Sequence, residues 1–204
     1  LKNSKNNIQA HYDLGNDFFS LFLDSSKLYS SGYFPLKASS LSEAQQIKTK
    51  KLIDLLDIKA NDAHILEIGS GFGTSTSIIN KFSSNIDCIE SSMQMTEVFK
   101  NSIKDGLFNA SLLDLTIEEF FNNKKPNIKK YQKIIINGSL DEEPINIIKN
   151  ASDNAEIVCI IDNQDFKHKI VKYIKVGGKS NKFVIDEASS SYIYKYVQSE
   201  PFVF

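Results

Sequence analysis

The amino-acid sequence predicts an α/β fold: a Rossmann-like, doubly wound, mostly parallel sheet with a C-terminal antiparallel hairpin and an N-terminal helical lid. Three observations predict it. Five short apolar runs, at 63–68, 85–90, 108–113, 132–137 and 156–161, are separated by segments of helix length. The first run ends in a glycine-rich turn, Gly69-Ser70-Gly71-Phe72-Gly73, that opens a helical pattern. After Asp162 the pattern changes, and runs at 168–176 and 181–187 flank Gly177-Gly178-Lys179-Ser180.

Each element follows from its residues. Residues 1–60 contain no convincing strand, and Asp17 to Leu23 is short, aromatic and apolar. Residues 41–57 read as an amphipathic helix, with Ser42 as a cap and Ala44, Ile47, Leu52, Leu55 and Leu56 near helical spacing. From residue 63 the apolar runs alternate with helices expected near 74–82, 92–105, 116–123 and 143–151. Strand, helix and strand in that order imply parallel pairing through right-handed crossovers. The two runs around Gly177-Gly178 read as strands joined by a tight turn. No repeat or linker splits the chain, so the expected organisation is a covering segment at 1–60 and one core at 61–204.

Composition narrows the function. The 204 residues are 41% hydrophobic and 24% charged, with a net charge of −1. That balance points to a globular domain and gives no reason to expect a nucleic-acid partner. All 24 basic residues are lysines, so no bidentate guanidinium clamp is available. Lys124, Lys125, Lys129 and Lys130 read as a solvated loop. Cys88 and Cys159 each sit in an apolar run and read as small buried hydrophobes. No run approaches the length of a membrane span, and the start, Leu1-Lys2-Asn3-Ser4-Lys5, does not read as a signal peptide. The expected compartment is the cytoplasm. No metal site is expected, because no His, Cys and Asp cluster has ligand spacing.

The chemistry concentrates at His64-Ile65-Leu66-Glu67-Ile68-Gly69-Ser70-Gly71-Phe72-Gly73-Thr74. Glycine permits positive φ at a tight turn and lets a ligand approach the backbone. The helix that follows offers free N–H groups. In open α/β sheets such a turn lies where ligands bind. The spacing is Gly-x-Gly-x-Gly, with an acid, Glu67, two residues before the first glycine. An acid there would repel a pyrophosphate but suits the cationic amino group of S-adenosylmethionine, which is the expected cofactor. The second run ends at Glu90, 17 residues beyond Gly73, where an acid can take ribose hydroxyls. Asp114 follows the third run, placed to face an adenine amino group or to cap the next helix. Ser70, Ser91, Leu113 and Asn137 complete the expected cofactor contacts. His64 reads as structural, and His168 as solvated in the hairpin. His11, beside Tyr12 and Asp13, is a candidate base.

The core at 63–161 resembles class I S-adenosylmethionine-dependent methyltransferases. Residues 8–75 resemble cyclopropane-fatty-acid synthases and mycolic acid methyltransferases. That resemblance rests on Ala10-His11-Tyr12-Asp13-Leu14-Gly15-Asn16-Asp17-Phe18-Phe19, on Leu28-Tyr29-Ser30-Ser31-Gly32-Tyr33-Phe34, and on Leu41-Ser42-Glu43-Ala44-Gln45-Gln46-Ile47-Lys48. It implies a lid over the cofactor, with Tyr29 and Ser30 touching S-adenosylmethionine. Ser31 stands where that family usually has a bicarbonate-binding Cys, and its Glu-His-Val-Gly-like motif is replaced by Asn137-Gly138-Ser139-Leu140. Residues 108–204 resemble the protein-L-isoaspartate O-methyltransferase-like proteins of alphaproteobacteria. The matching text there is Ile134 to Pro144, the Gly177-Gly178 hairpin and the closing Glu200-Pro201-Phe202-Val203-Phe204.

The expected function is methyl transfer to a small, hydrophobic or amphipathic acceptor. His11 and Tyr12 are the catalytic candidates, and Tyr12, Tyr33 and Ser139 the substrate-facing ones. Two other readings stand beside it: an isoaspartyl-type protein carboxyl methyltransferase, and a non-catalytic cofactor-binding subunit of a larger assembly. A homo-oligomer is compatible with each.

Overall fold

Apolar runs of β-branched residues, each closed by a turn residue, set where the strands lie. The computed structural model of the chain describes residues 21, 33–34, 40–58, 64–162, 168–188 and 192–194. They form helix α1 (Leu41–Leu56), β1 (Ile65–Ile68), α2 (Thr74–Ile79), β2 (Ile86–Ile89), α3 (Met93–Lys104), β3 (Ser111–Leu112), α4 (Ile117–Asn122), β4 (Lys133–Leu140), α5 (Ile145–Asn150), β5 (Glu156–Asp162), β6 (His168–Val176), β7 (Lys179–Ala188) and β8 (Tyr192–Tyr194). Two compact units divide the chain, 1–51 and 52–204.

The sheet runs in the order β3-β2-β1-β4-β5-β6-β7, with β8 paired to β4 off that path. β1 pairs in parallel with both β2 and β4, β2 with β3, and β4 with β5. β6 runs antiparallel to β5, and β7 antiparallel to β6. The chain lays β1, β2 and β3 in one direction and then crosses to β4 and β5. The switch point therefore lies between β1 and β4, where sheets of this kind hold their ligands.

Side chains alternate across the sheet, and each face has its own core. Leu66, Ile68, Ile134, Ile136, Ile157 and Cys159 pack on one face with Phe120 and Phe121 of α4 and Ile147 of α5. Ile65, Cys88, Ile135 and Val158 pack on the other with Leu56, Ile79 of α2 and Phe99 of α3. Burial on both faces is why β1 and β2 are apolar along nearly their whole length. A fully buried side chain such as Phe99 contributes about 1.5–3 kcal/mol. Both cysteines are free and buried, and burial pushes the Cys159 thiol up to about 12.

Several expectations need correction. Ser40, rather than Ser42, caps α1: its Oγ accepts from Glu43 N at 3.2 Å. The third strand shrinks from 108–113 to two residues. Phe108 turns under α2 and α3, edge-on to Phe99 at 5.0 Å, while the Asn80 side chain holds the backbone of Asn109 at 2.9 and 3.0 Å. Those bonds take Asn109 out of the ladder. The fourth strand runs on through Gly138 to Leu140, because Gly138 at φ 142 absorbs a register shift against β5. β8 was not expected at all. Lys130 is not simply solvated: its Nζ lies 2.6 Å from Asp87 Oδ2.

His64 is structural, as its place in the first strand suggested. Its Nε2 lies 3.3 Å from Asp87, and its ring meets Tyr131 edge-on at 5.0 Å. Tyr131 donates to the same carboxylate at 2.6 Å. Burial alone would push Asp87 up. The hydrogen bonds from Lys130 and Tyr131, with the charges of Lys130 and His64, outweigh it and hold the group low.

Candidate functional site

The glycine turn hangs from the carboxyl end of β1, and each glycine answers to a different constraint. All three have positive φ: Gly69 at 78, Gly71 at 57 and Gly73 at 86. Gly73 is the N-cap of α2, and a Cβ there would lie 2.3 Å from the Phe108 ring. At Gly69 a Cβ would lie 2.3 Å from Ile193 Cδ1 and 2.9 Å from the Asn137 carbonyl oxygen. At Gly71 nothing lies within 4 Å of that position. The turn is thus packed shut at both ends and open in the middle. Between Gly69 and Gly71, Ser70 is 4% exposed, and its Oγ has no hydrogen-bond partner among the described residues. A buried hydroxyl without a partner is costly unless a ligand or water completes it.

Glu67 lies beneath the turn at 0% exposure. Its carboxylate accepts from Ser75 Oγ, from Thr76 Oγ1 at 2.6 Å and from Asn137 Nδ2 at 2.7 Å, with Cys88 Sγ at 3.7 Å. Burial pushes its carboxyl above the usual range, against the lowering effect of those hydrogen bonds. It was expected to face a ligand's cationic group; here it is turned inward and ties β1 to α2 and β4. Asn137, expected at the cofactor, spends its amide on that knot.

Glu90 ends β2 beside the open middle of the turn. Its Oε2 accepts from Gly71 N at 2.8 Å, and its Oε1 from Ser91 N at 2.8 Å and Ser92 N at 2.9 Å. It remains part exposed. Ser91 Oγ accepts from Ile117 N at 2.7 Å, which fixes the start of α4. Leu113 N donates to the Cys88 carbonyl at 2.8 Å, placing exposed Asp114 past the end of β3. Asp114 does not cap the following helix. Thr116 does, through a capping box with Glu119 at 3.1 and 2.7 Å. Glu67, Glu90 and Asp114 therefore sit at the carboxyl ends of three adjacent strands, with the turn among them.

A second cluster stands at the ends of β4, β5 and β6. Ser139 Oγ lies 2.6 Å from His168 Nδ1, and His168 Nε2 lies 3.8 Å from Asp162 Oδ2. The expectation that His168 is solvated is corrected: its side chain is 17% exposed, because β6 starts opposite Asp162 and faces back toward β4. The imidazole stands between a hydroxyl and a carboxylate, and an imidazole nitrogen can accept a proton. Sequence reasoning singled out Ser139 but not its partners. The signal it lacked was pairing register, which no local pattern carries.

Tyr33 is described within the N-terminal unit, where Lys51 Nζ stands 3.8 Å from its ring centre. His11, Tyr12, Tyr29 and Ser30 lie outside the described residues. Among the described residues no group of three or more His, Cys, Asp or Glu is placed to hold a metal ion. No described helix is long and apolar enough to cross a membrane.

The family model described as mycolic acid cyclopropane synthetase matches residues 1–135. Hydroxymycolate synthase MmaA4 of Mycobacterium tuberculosis is 46% identical over 67 residues, 33% of this chain and 22% of that protein. Cyclopropane mycolic acid synthase 3 of the same organism is 41% identical over 81 residues, 39% of this chain and 28% of that protein. The chain thus spans between 22% and 28% of the length of these curated relatives. Among solved structures, the cyclopropane synthase MmaA2 from Mycobacterium tuberculosis has a TM-score of 0.58 at 24% identity, over 75% of this chain and 55% of that one. A protein-L-isoaspartate O-methyltransferase has a TM-score of 0.59 at 13% identity, over 87% and 64%. At those identities the structural likenesses show a shared fold.

Proposed function

The chain belongs to the mycolic acid cyclopropane synthetase family, and from that premise we propose that it binds S-adenosylmethionine and transfers its methyl group to a small, lipid-like acceptor. One observation carries the cofactor reading. The glycine turn has an open middle at Gly71 and a buried, unsatisfied hydroxyl at Ser70, with Glu90 at its rim. A polar ligand seated on Gly71 would complete Ser70. Exposed Asp114 would take the base amino group and Glu90 the ribose hydroxyls.

When bound, the cofactor supplies a methyl group already activated by a cationic sulfur. The chain's own residues would bind, orient and manage the proton. Glu67 holds the turn in shape through Ser75, Thr76 and Asn137, so the backbone amides are fixed before the ligand arrives. Positioning of this kind supplies much of the acceleration in transfer reactions. Methylation of a neutral acceptor releases one proton. In the cluster of Ser139, His168 and Asp162 the imidazole of His168 is the group that can accept it, with Ser139 Oγ hydrogen-bonded to its Nδ1. The family match favours a lipid-like acceptor over a protein carboxylate or a non-catalytic role. A cytoplasmic setting suits the two free thiols, Cys88 and Cys159.

Calorimetric titration with S-adenosylmethionine tests the reading. Glu90→Ala should weaken binding by about 1–3 kcal/mol, the worth of a charged hydrogen bond. Absence of binding to the wild-type chain would sink the proposal. Labelled cofactor offered with vesicles of unsaturated phospholipid, or with an isoaspartyl peptide, would then separate the acceptor classes.

A further inference from the structure

We propose that β8 is a strap closing one end of the cofactor crevice, and that it must lift before the amino-acid end of S-adenosylmethionine can seat. This rests on the cofactor reading above.

The strap's position follows from the ladder. One edge of β4 pairs with β1 from Lys133 to Ile136. At Ser139 and Leu140 the far edge is taken by β5, while β8 pairs through Tyr192 and Tyr194. β8 therefore continues on the β1 side of β4, beyond the end of β1. That is the switch point of the sheet, where a ligand would lie. Side-chain positions agree. Ile193 Cδ1 fills the space that a Cβ on Gly69 would enter, at 2.3 Å. Its Cβ stands 2.6 Å from the matching position on Gly138. One isoleucine thus spans the gap between the glycine turn and β4.

The closure is one-sided. Nothing lies within 4 Å of the corresponding position on Gly71, whose N–H is held by Glu90. The half of the site assigned to ribose and base is open, and the half over Gly69 and Asn137 is covered. A nucleoside can enter without disturbing β8. A nucleoside carrying an amino-acid tail at its 5′ end meets Ile193.

The strap is also built to come away. It has three residues and two registered pairs, with a register shift between them. Ile193 is only partly buried against the core. Short ladders with little burial open at low cost compared with the central strands.

The apparent affinity of a ligand falls by the fraction of molecules in the open state. Ile193→Gly, which removes the apolar anchor, should tighten S-adenosylmethionine about tenfold and leave adenosine unchanged, both read by calorimetry. Ile193→Ser is the companion variant should the glycine variant melt too early to titrate. In the wild-type chain, saturating S-adenosylmethionine should strip hydrogen-exchange protection from residues 192–194, and saturating adenosine should not. Equal cofactor binding by wild type and variants would overturn the strap while the cofactor reading stands. Tightening of both ligands alike would also overturn it, since the effect would then not lie over Gly69. Failure of the wild type and both variants to bind the cofactor would overturn both readings together.

Discussion

Gly73→Ala should destabilise the chain by about 2–4 kcal/mol, the sum of a left-handed backbone penalty and local overpacking. For a chain of this size that is a fall in melting temperature of about 5–15 °C. Two effects act at one atom. Gly73 has φ 86, which an L side chain resists, and the added Cβ would lie 2.3 and 2.7 Å from Phe108 and 3.0 Å from Phe99. Phe99 is fully buried, so the rings have little room to retreat. Gly71→Ala is the control. Its φ is 57 and nothing stands near, so only the backbone penalty of about 1–2 kcal/mol applies. A double-mutant cycle with Phe108→Ala isolates the clash, because removing the ring should lessen the cost of the new methyl. Urea unfolding of the five proteins, wild type included, reads it. Equal losses for Gly73→Ala and Gly71→Ala, with no coupling to Phe108, would show that the packing account is wrong.

Glu67→Ala is expected to cost about 3–5 kcal/mol, because it strips a buried network of its acceptor. The groups on Ser75, Thr76 and Asn137 would lose their shared acceptor, leaving Ser75 and Asn137 to each other and Thr76 to the weak contact with Cys88 Sγ. Glu67→Gln keeps the shape and should lose much less. It also removes a pH dependence whose sign is set by burial. Burial raises the Glu67 pKa in the folded chain, so the folded state holds that proton more tightly than the unfolded one. The stability gained is fully present below the ordinary value of 4.5 and is lost as pH rises through the raised one. Asp87 has the opposite sign: held low, it contributes stability above its ordinary 3.8 that is lost as pH falls through its lowered value. The two windows lie on opposite sides of the ordinary carboxylate range. Urea midpoints across that range should therefore slope downward with rising pH in the wild type above 4.5, and less steeply in Glu67→Gln. Identical slopes in the two proteins would refute the assignment to Glu67.

Local chemistry made most of the sheet legible. The runs around Ile65, Ile86, Ile134 and Ile157 are β-branched and closed by polar residues, and each forms a strand within a few residues of its expected limits. The hairpin around Gly177-Gly178 was equally plain, since both glycines take positive φ. What failed did so where a distant residue competes. Asn109 is apolar-flanked and strand-like, yet Asn80, 29 residues away, claims its backbone. Ser42 was the expected cap of α1, and the backbone placed Ser40 beside Glu43 N instead. In the candidate site, the acids at three strand ends were visible as a pattern. Their tasks were not, because a carboxylate that is fully buried and one at the rim look alike in a chain of letters.

By itself, the sequence determined the α/β class, the parallel pairing implied by its crossovers, and the glycine turn with Glu67 before it and Glu90 beyond it. These depend on periodicity and turn chemistry, which act over a few residues. Only the tertiary structure decided that Glu67 is consumed in holding the turn, that His168 lies between Ser139 and Asp162, and that Ile193 packs against Gly69. Each of those joins strand ends that lie far apart along the chain. Register and crossover place them together, and neither is written in any single segment.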